Sequence, residues 1–292
     1  MTMSATPFER TEIPFELPFP RIRLKETGCA AGSCFADRVF GALLHAGAIR
    51  GLSNPNGIAY NPFSIQESLR RLEAEYTESD FFEYGGLWHS WIHHGSFSMP
   101  SCAEALEKAE TARKEFRKTL KKANFFFMTL SSAYVYIHKK TDRIVANCHK
   151  VPSGEFHREL LSHDTCRAAI VSACKCIREY SPDCRIFLTV SPVLHDPGDL
   201  RKNFLSKGRL LSAAADALES IPNACCFPAY EIVTGELRDY RYYGDDLIHP
   251  SEKAAEIVLE RFLKTSCEPE VAAWYEESLR RAKAAAHRER SF

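Results

Sequence analysis

The chain has 292 residues, 45% of them hydrophobic, enough to fill a sizeable core and too many for a disordered chain. Its 38 basic and 38 acidic residues cancel, so the charge balance gives no reason to expect a nucleic-acid partner. No uncharged apolar run reaches the roughly 18 residues of a spanning helix, which argues against a membrane protein, and the first 15 residues, with Glu9, Glu12 and Pro14, do not read as a secretory leader.

Three prolines between Pro14 and Pro20 predict an extended surface strap. The apolar Cys29-Ala30-Ala31 then reads as a short buried strand, and Gly32-Ser33 as the turn that ends it. Phe35, Val39 and Leu43 recur at helical spacing, predicting a helix over about 35 to 46. A second strand is expected at 48 to 52. A helix follows over 65 to 72, with Ser64 and Glu67 as its capping box. Residues 79 to 100, rich in aromatics, histidine and glycine, hold no period and read as an excursion over one sheet edge. Beyond them the pattern settles into helix 102 to 120, strand 124 to 130, an extended piece at 134 to 138, helix 164 to 179, strand 185 to 190, helix 205 to 218 and strand 225 to 228. Helices over 254 to 263 and 270 to 288 close the chain. Strands alternating with helices predict an α/β fold, a parallel sheet covered on both faces, whose ligands gather beyond the carboxyl ends of the strands.

The 11 cysteines are scattered and odd in number, and none makes a C-x2-C pair, so they read as reduced thiols of a cytoplasmic protein and not as a metal knuckle. His89, His93 and His94 sit among Gly85-Gly86 and Gly95 with no carboxylate to complete a site, and they read as a packed aromatic loop. G-x-G-x-x-G and G-x-x-x-x-G-K-[ST] are both absent; no metal or other cofactor is expected.

Two segments carry chemistry. Ser33 lies where strand becomes helix, a position that exposes a hydroxyl near unpaired helix-start amides; the plain alternative is a serine that caps the helix. Asp246 and His249 are three residues apart and can fold back in one turn so that the carboxylate fixes the ring tautomer, with Pro250 in the first turn of the next helix; capping that helix is the plain alternative. Cys34 is the other candidate nucleophile, since a thiol at the same turn has intrinsic reactivity, although a one-residue shift is expected to point it at the sheet.

The segments Gly32-Ser33-Cys34-Phe35-Ala36, Asn54-Pro55-Asn56-Gly57-Ile58-Ala59-Tyr60-Asn61-Pro62, Asn147-Cys148-His149-Lys150, Thr189-Val190-Ser191-Pro192-Val193, and Leu237 to Tyr243 running on to His249-Pro250-Ser251 occur in order. Together they resemble the GSCFA domain family, over about residues 12 to 264, leaving 265 to 292 as a C-terminal helical extension. That family resembles in turn the SGNH, or GDSL-like, hydrolases. The resemblance implies a three-layer α/β/α, flavodoxin-like fold, with Ser33 as nucleophile, Asp246 as orienting acid and His249 as base. It further implies an oxyanion hole from the amides of Ser33 and Gly57. The superfamily's Gly-x-Asn motif is replaced here by Ser131-Ser132-Ala133, so the third donor falls to Asn147, or else to Asn61.

The expected activity is hydrolysis of an acyl ester, with a small acyl group on a sugar or glycan as the expected substrate. O-acyl transfer by the same residues and a noncatalytic binding module are the alternatives. Asn61, His195 and Arg241 are candidate substrate contacts. Oligomeric state is left open.

Overall fold

The structure is a computed structural model in which residues 11 to 196 and 198 to 289 are described, without the side chains of 286 to 289. The first ten residues, and with them most of the segment read as no secretory leader, lie outside the described residues. In chain order the first elements are β1 (Thr27–Gly32), a π-helical turn (Asp37–Gly41) running into α1 (Ala42–His45), β2 (Arg50–Ser53), α2 (Pro62–Arg70), β3 (Phe82–Tyr84) and β4 (Leu87–His89). Then come α3 (Cys102–Leu120), β5 (Phe125–Leu130), β6 (Tyr134–His138), β7 (Arg143–Val145), β8 (Phe156–Leu160) and α4 (His163–Tyr180). The chain continues through β9 (Arg185–Val190), α5 (Leu200–Leu218), β10 (Ala224–Cys226), α6 (Ala229–Glu231) with a second π-helical turn (Ile232–Leu237), α7 (Glu252–Ser266) and α8 (Pro269–Glu289).

Five strands form one parallel sheet in the order β10-β9-β5-β1-β2. Because successive side chains of a strand point to opposite faces, each strand feeds two cores. Cys29, Ala31, Phe126, Met128, Leu130, Ile186 and Leu188 pack with α2 to α5 on one face. Ala30, Phe125, Phe127 and Phe187 pack with α1, α6 and α7 on the other. Phe262 of α7 meets Phe127 and Phe227 edge to face at 5.4 and 5.1 Å, which locks that helix to the sheet. The architecture is the expected three-layer α/β/α fold.

The strap from residue 11 to 20 forms no regular element but is not merely superficial: Phe15 and Phe19 set their rings edge-on against Phe227 and Phe187. At the far end, α8 buries Val271, and the Trp274 indole donates to the Ala46 carbonyl at 2.9 Å. All eleven cysteines are free. No helix among the described residues is long and apolar enough to cross a membrane.

Three local expectations need correction. Asn61, not Ser64, caps α2: its Oδ1 accepts the Ser64 amide at 2.8 Å, and Pro62 takes the first helical position, where its missing amide goes unmissed. Ser251 caps α7, so Pro250 stands outside that helix and not in its first turn. The stretch after β5 is a separate antiparallel sheet, β7-β6-β8, of which only β6 was foreseen as extended. The excursion at 79 to 100 contains the β3-β4 hairpin and two 3-10 turns.

Candidate active site

Since β1, β5 and β9 lie side by side and run the same way, the loops that follow them meet at one rim. Two ties draw those loops together. The Tyr60 carbonyl accepts the amides of both Ser131 and Ser132 at 2.8 Å, and the buried Lys207 ammonium donates to the Ser131 and Ser191 carbonyls at 2.6 Å each. Burial depresses the Lys207 pKa to about 7. The place where a Gly-x-Asn motif is absent is therefore sewn down by backbone bonds and a lysine, with no side-chain amide of its own.

The segment from Gly244 to His249 closes on itself. The Gly244 amide donates to the His249 carbonyl, and the Asp246 Oδ1 accepts the amides of Ile248 and His249 at 2.9 and 3.0 Å. Leu247 takes a left-handed conformation at φ 53°, so the pair folds back in one turn, as its spacing allows, and that turn is of the Asx type. The Leu194 amide donates to the Ile248 carbonyl at 3.0 Å and pins this loop beside β9.

Asp246 Oδ2 lies 2.7 Å from His249 Nδ1. The His249 backbone amide, then the His249 ring and the Ile248 amide, hold the Asp246 pKa at about 2. A carboxylate only accepts, so Nδ1 carries a proton, and the neutral form of the ring has its lone pair on Nε2. His249 lines a cavity of about 410 Å³ together with Cys34, Tyr60, Asn61, Asn147 and His195, and a second cavity of about 350 Å³ with Cys34, Phe35, Arg38 and Pro250. A comparable groove of about 480 Å³ opens at the amino ends of the strands around Asn124, Arg185 and Asn223, and it contains no nucleophile and base pair.

The residues expected at the site divide. Ser33 is 0% exposed and lines neither cavity that holds His249. Its amide donates to the Thr129 carbonyl at 3.0 Å, and its hydroxyl accepts the Phe35 amide at 3.2 Å. Its hydroxyl is tied to the amide two residues ahead and its amide to the neighbouring strand, so both are engaged in the turn after β1 and away from the residues that line the cleft. Gly57 likewise does not offer its amide, which donates to the Asn54 carbonyl at 2.8 Å. The glycine is required there by φ +81° and by the close approach of His94.

Asn61 and Asn147 both line the cavity. In each, Oδ1 accepts a backbone amide, from Ser64 and from His149 respectively at 2.8 Å. That fixes the flip of the amide group and leaves each Nδ2 without a partner among the described residues. The Cys34 backbone amide likewise donates to no oxygen among the described residues and lies beside its own sulfur.

His195 is in the cavity wall, where burial lowers its pKa to about 4 and keeps the ring neutral. Arg241 does not belong to the site: it is exposed, pairs with Asp239 at 2.8 Å, and lines neither cavity. The cavity also contains residues that pattern reading missed. Tyr134 and Tyr136 from β6 stand beside Arg158 from β8, whose guanidinium lies 3.9 Å over the Tyr134 ring and grips Asp196 with both nitrogens. Separation in sequence hides that cluster, since Tyr134, Tyr136, Arg158 and Asp196 come from three different segments.

The histidines of the excursion are packing elements. His89 bonds Ser98 and the Tyr84 carbonyl, and His93 lies between Tyr76 and Phe97. Among the described residues no group of three or more His, Cys, Asp or Glu side chains could hold a metal ion.

Residues 29–262 match the model of the GSCFA family. No curated protein is significantly similar to the chain in sequence. Solved structures of low similarity include a protein described as a GDSL-like lipase from Parabacteroides merdae, at 12% identity and TM-score 0.46, covering 85% of this chain and 99% of that one. A carbohydrate esterase family 2 enzyme with a carbohydrate-binding domain, from Corynascus thermopiles (Myceliophthora fergusii), has 11% identity and TM-score 0.44, covering 88% and 68%. A carbohydrate esterase family 3 protein from Talaromyces cellulolyticus has 9% identity and TM-score 0.36, covering 88% and 99%.

Proposed function

The chain belongs to the GSCFA family, and from that premise we propose that it hydrolyses acyl esters through a covalent acyl-enzyme at the cleft on the carboxyl rim of the sheet. The observation that carries this reading is the Asp246–His249 contact of 2.7 Å, with His249 opening onto both cavities. A neutral imidazole whose Nδ1 proton is held by a carboxylate is a general base ready to act through Nε2.

In the proposed cycle a nucleophile at the turn after β1 attacks the acyl carbon while Nε2 takes its proton. The tetrahedral intermediate expels the alkoxide, which leaves with that proton from His249. Water then attacks the acyl-enzyme and gives a proton to Nε2, and the carboxylic acid departs as the nucleophile recovers its proton. The negative oxygen of each intermediate is held by amide donors, and the candidates are the Cys34 backbone amide and the Nδ2 groups of Asn61 and Asn147, three residues that line the cavity.

A small acyl group on a sugar suits the cavity. Tyr60 and Tyr136, 43% and 45% exposed, offer ring faces, and Asn147 and Arg158 offer donors to hydroxyls. The His249 side chain is 53% exposed, so water reaches the base, which favours hydrolysis over transfer to another hydroxyl. The test is turnover of p-nitrophenyl acetate and of acetylated monosaccharides. We expect release of acetate by the wild type and its loss, by about a thousandfold or more, in a folded His249→Ala variant. Equal rates in the two proteins would discard the reading.

A further inference from the structure

The turn after β1 presents two candidate nucleophiles one residue apart, and the structure treats them differently. Ser33 is still part of the sheet: its amide extends the hydrogen bonding of β1 to β5 through the Thr129 carbonyl, and its hydroxyl is fully buried under the Phe35 amide. The cause is Gly32, whose φ of +140° lets the Thr129 carbonyl approach so closely that a Cβ would lie 2.1 Å from its oxygen. The chain leaves the sheet one residue later than a turn at Gly32-Ser33 requires. Cys34 is then the first residue of the turn to reach the rim.

We propose that the Cys34 thiol, and not the Ser33 hydroxyl, is the nucleophile of this site, and that the acyl-enzyme is a thioester. The inference rests on the hydrolase reading above and specifies its reacting atom. Three observations carry it. Cys34 is half-buried and lines both cavities that His249 lines, whereas Ser33 lines neither. The Cys34 backbone amide donates to no oxygen among the described residues and lies beside its own sulfur, so it can stabilise an oxyanion formed on an acyl group bound to its own side chain, while the Ser33 amide is committed to Thr129. Asp246 holds His249 in the tautomer that accepts a proton, which a thiol then needs to lose.

The thiol is not held as a thiolate in the free protein. Burial, then the Asp37 carboxylate, raises its pKa. No hydrogen bond joins Sγ to His249 in this structure; the two share the space into which an ester carbonyl fits. The step balances as general-base attack. The S–H proton passes to Nε2 as the S–C bond forms, the C–O bond to the alcohol breaks, and that proton leaves with the alkoxide. Water then cleaves the thioester to a carboxylic acid and regenerates the thiol.

Two measurements test this together. The first is p-nitrophenyl acetate turnover and trapping of the acyl-enzyme by peptide mass spectrometry, in wild type and in Ser33→Ala, Cys34→Ala and Cys34→Ser, each checked for folding by circular dichroism. The acetyl adduct is expected on Cys34 and is expected to be released by neutral hydroxylamine. Turnover should fall at least a hundredfold in Cys34→Ala and stay within about fivefold of wild type in Ser33→Ala. The second is the iodoacetamide alkylation rate of each cysteine, which needs no substrate. Cys34 should react faster than the half-buried Cys102 and Cys148 and slow about tenfold in His249→Ala, with the other two unchanged.

Turnover and adduct that depend on Ser33 and survive in Cys34→Ala overturn the inference and leave the hydrolase reading standing. Turnover that survives in His249→Ala overturns the hydrolase reading itself. A wild type that forms no adduct, together with alkylation of Cys34 that is indifferent to His249, overturns both.

Discussion

Asp246 holds His249 at two points: one carboxylate oxygen accepts the histidine's backbone amide at 3.0 Å, and the other meets its ring Nδ1 at 2.7 Å. Position and tautomer are thereby set by the same side chain. Asp246→Asn separates them. The asparagine oxygen can keep the amides of Ile248 and His249, but its NH2 faces Nδ1, which must then give up its proton and leave Nε2 protonated. A fall in kcat of about three to four decades is expected, with the melting temperature nearly unchanged. Since Asp246 titrates at about 2, steady-state rates of the wild type from pH 4 to 9 should show no inflection that belongs to this carboxylate.

The oxyanion donors are separable from the fold at Asn61. Its oxygen caps α2 and the residue lines the cavity, so Asn61→Ser keeps a cap acceptor and deletes the Nδ2 donor. If Nδ2 holds the oxyanion, kcat falls by about two to three decades while thermal stability barely moves. Asn147→Ser is the companion variant, because a serine can still accept the His149 amide. Wild-type kcat in both proteins would remove side-chain amides from the hole.

Gly32 decides whether the rim forms at all. Alanine there would place its Cβ 2.1 Å from the Thr129 oxygen, in a backbone conformation that L-residues avoid. Gly32→Ala should lose about 4 kcal/mol or more, or fail to fold. Gly154→Ala, with nothing within 4 Å, should be nearly neutral in the same denaturant titration. A stable, active Gly32→Ala protein would contradict the account of why the chain leaves the sheet at Cys34.

What the sequence revealed and what it hid follow one physical distinction. Long apolar runs and helical periods report burial directly, so the expected strands at 124 to 130 and 185 to 190 correspond to β5 and β9, and the expected helix at 102 to 120 is α3. Asp246 and His249 were visible as a pair, but the left-handed Leu247 that joins them was not, because leucine carries no signal for that conformation. The one-residue choice between Ser33 and Cys34 depends on a carbonyl contributed by β5, nearly a hundred residues away in sequence. The same holds for β7 and β8, short strands whose order comes from pairing with β6, and hence for Arg158 and Tyr136 in the cavity wall.

His93 makes the excursion over the sheet edge sensitive to acid. The ring is 0% exposed, stacked on Phe97 with Tyr76 edge-on against it, and neither nitrogen has a hydrogen-bond partner among the described residues. Burial, then the neighbouring His149 and Arg71, lowers its pKa to about 3, against the small opposing pull of Asp80. In the unfolded chain the same imidazole takes up a proton near pH 6.5, so the unfolded state binds more protons than the folded one below that pH. Stability is therefore fully present above about pH 6.5 and is lost as the pH falls from there toward 3. At pH 5 the loss from this residue is about 2 kcal/mol. His93→Phe keeps an aromatic ring between Tyr76 and Phe97 and takes up no proton. Urea titrations at pH 7.5 and pH 5 should show the variant gaining about 2 kcal/mol on the wild type between the two, whatever their difference at neutral pH. Parallel pH dependences in the two proteins would mean that His93 is protonated in the folded state, and that the excursion opens to let the proton in.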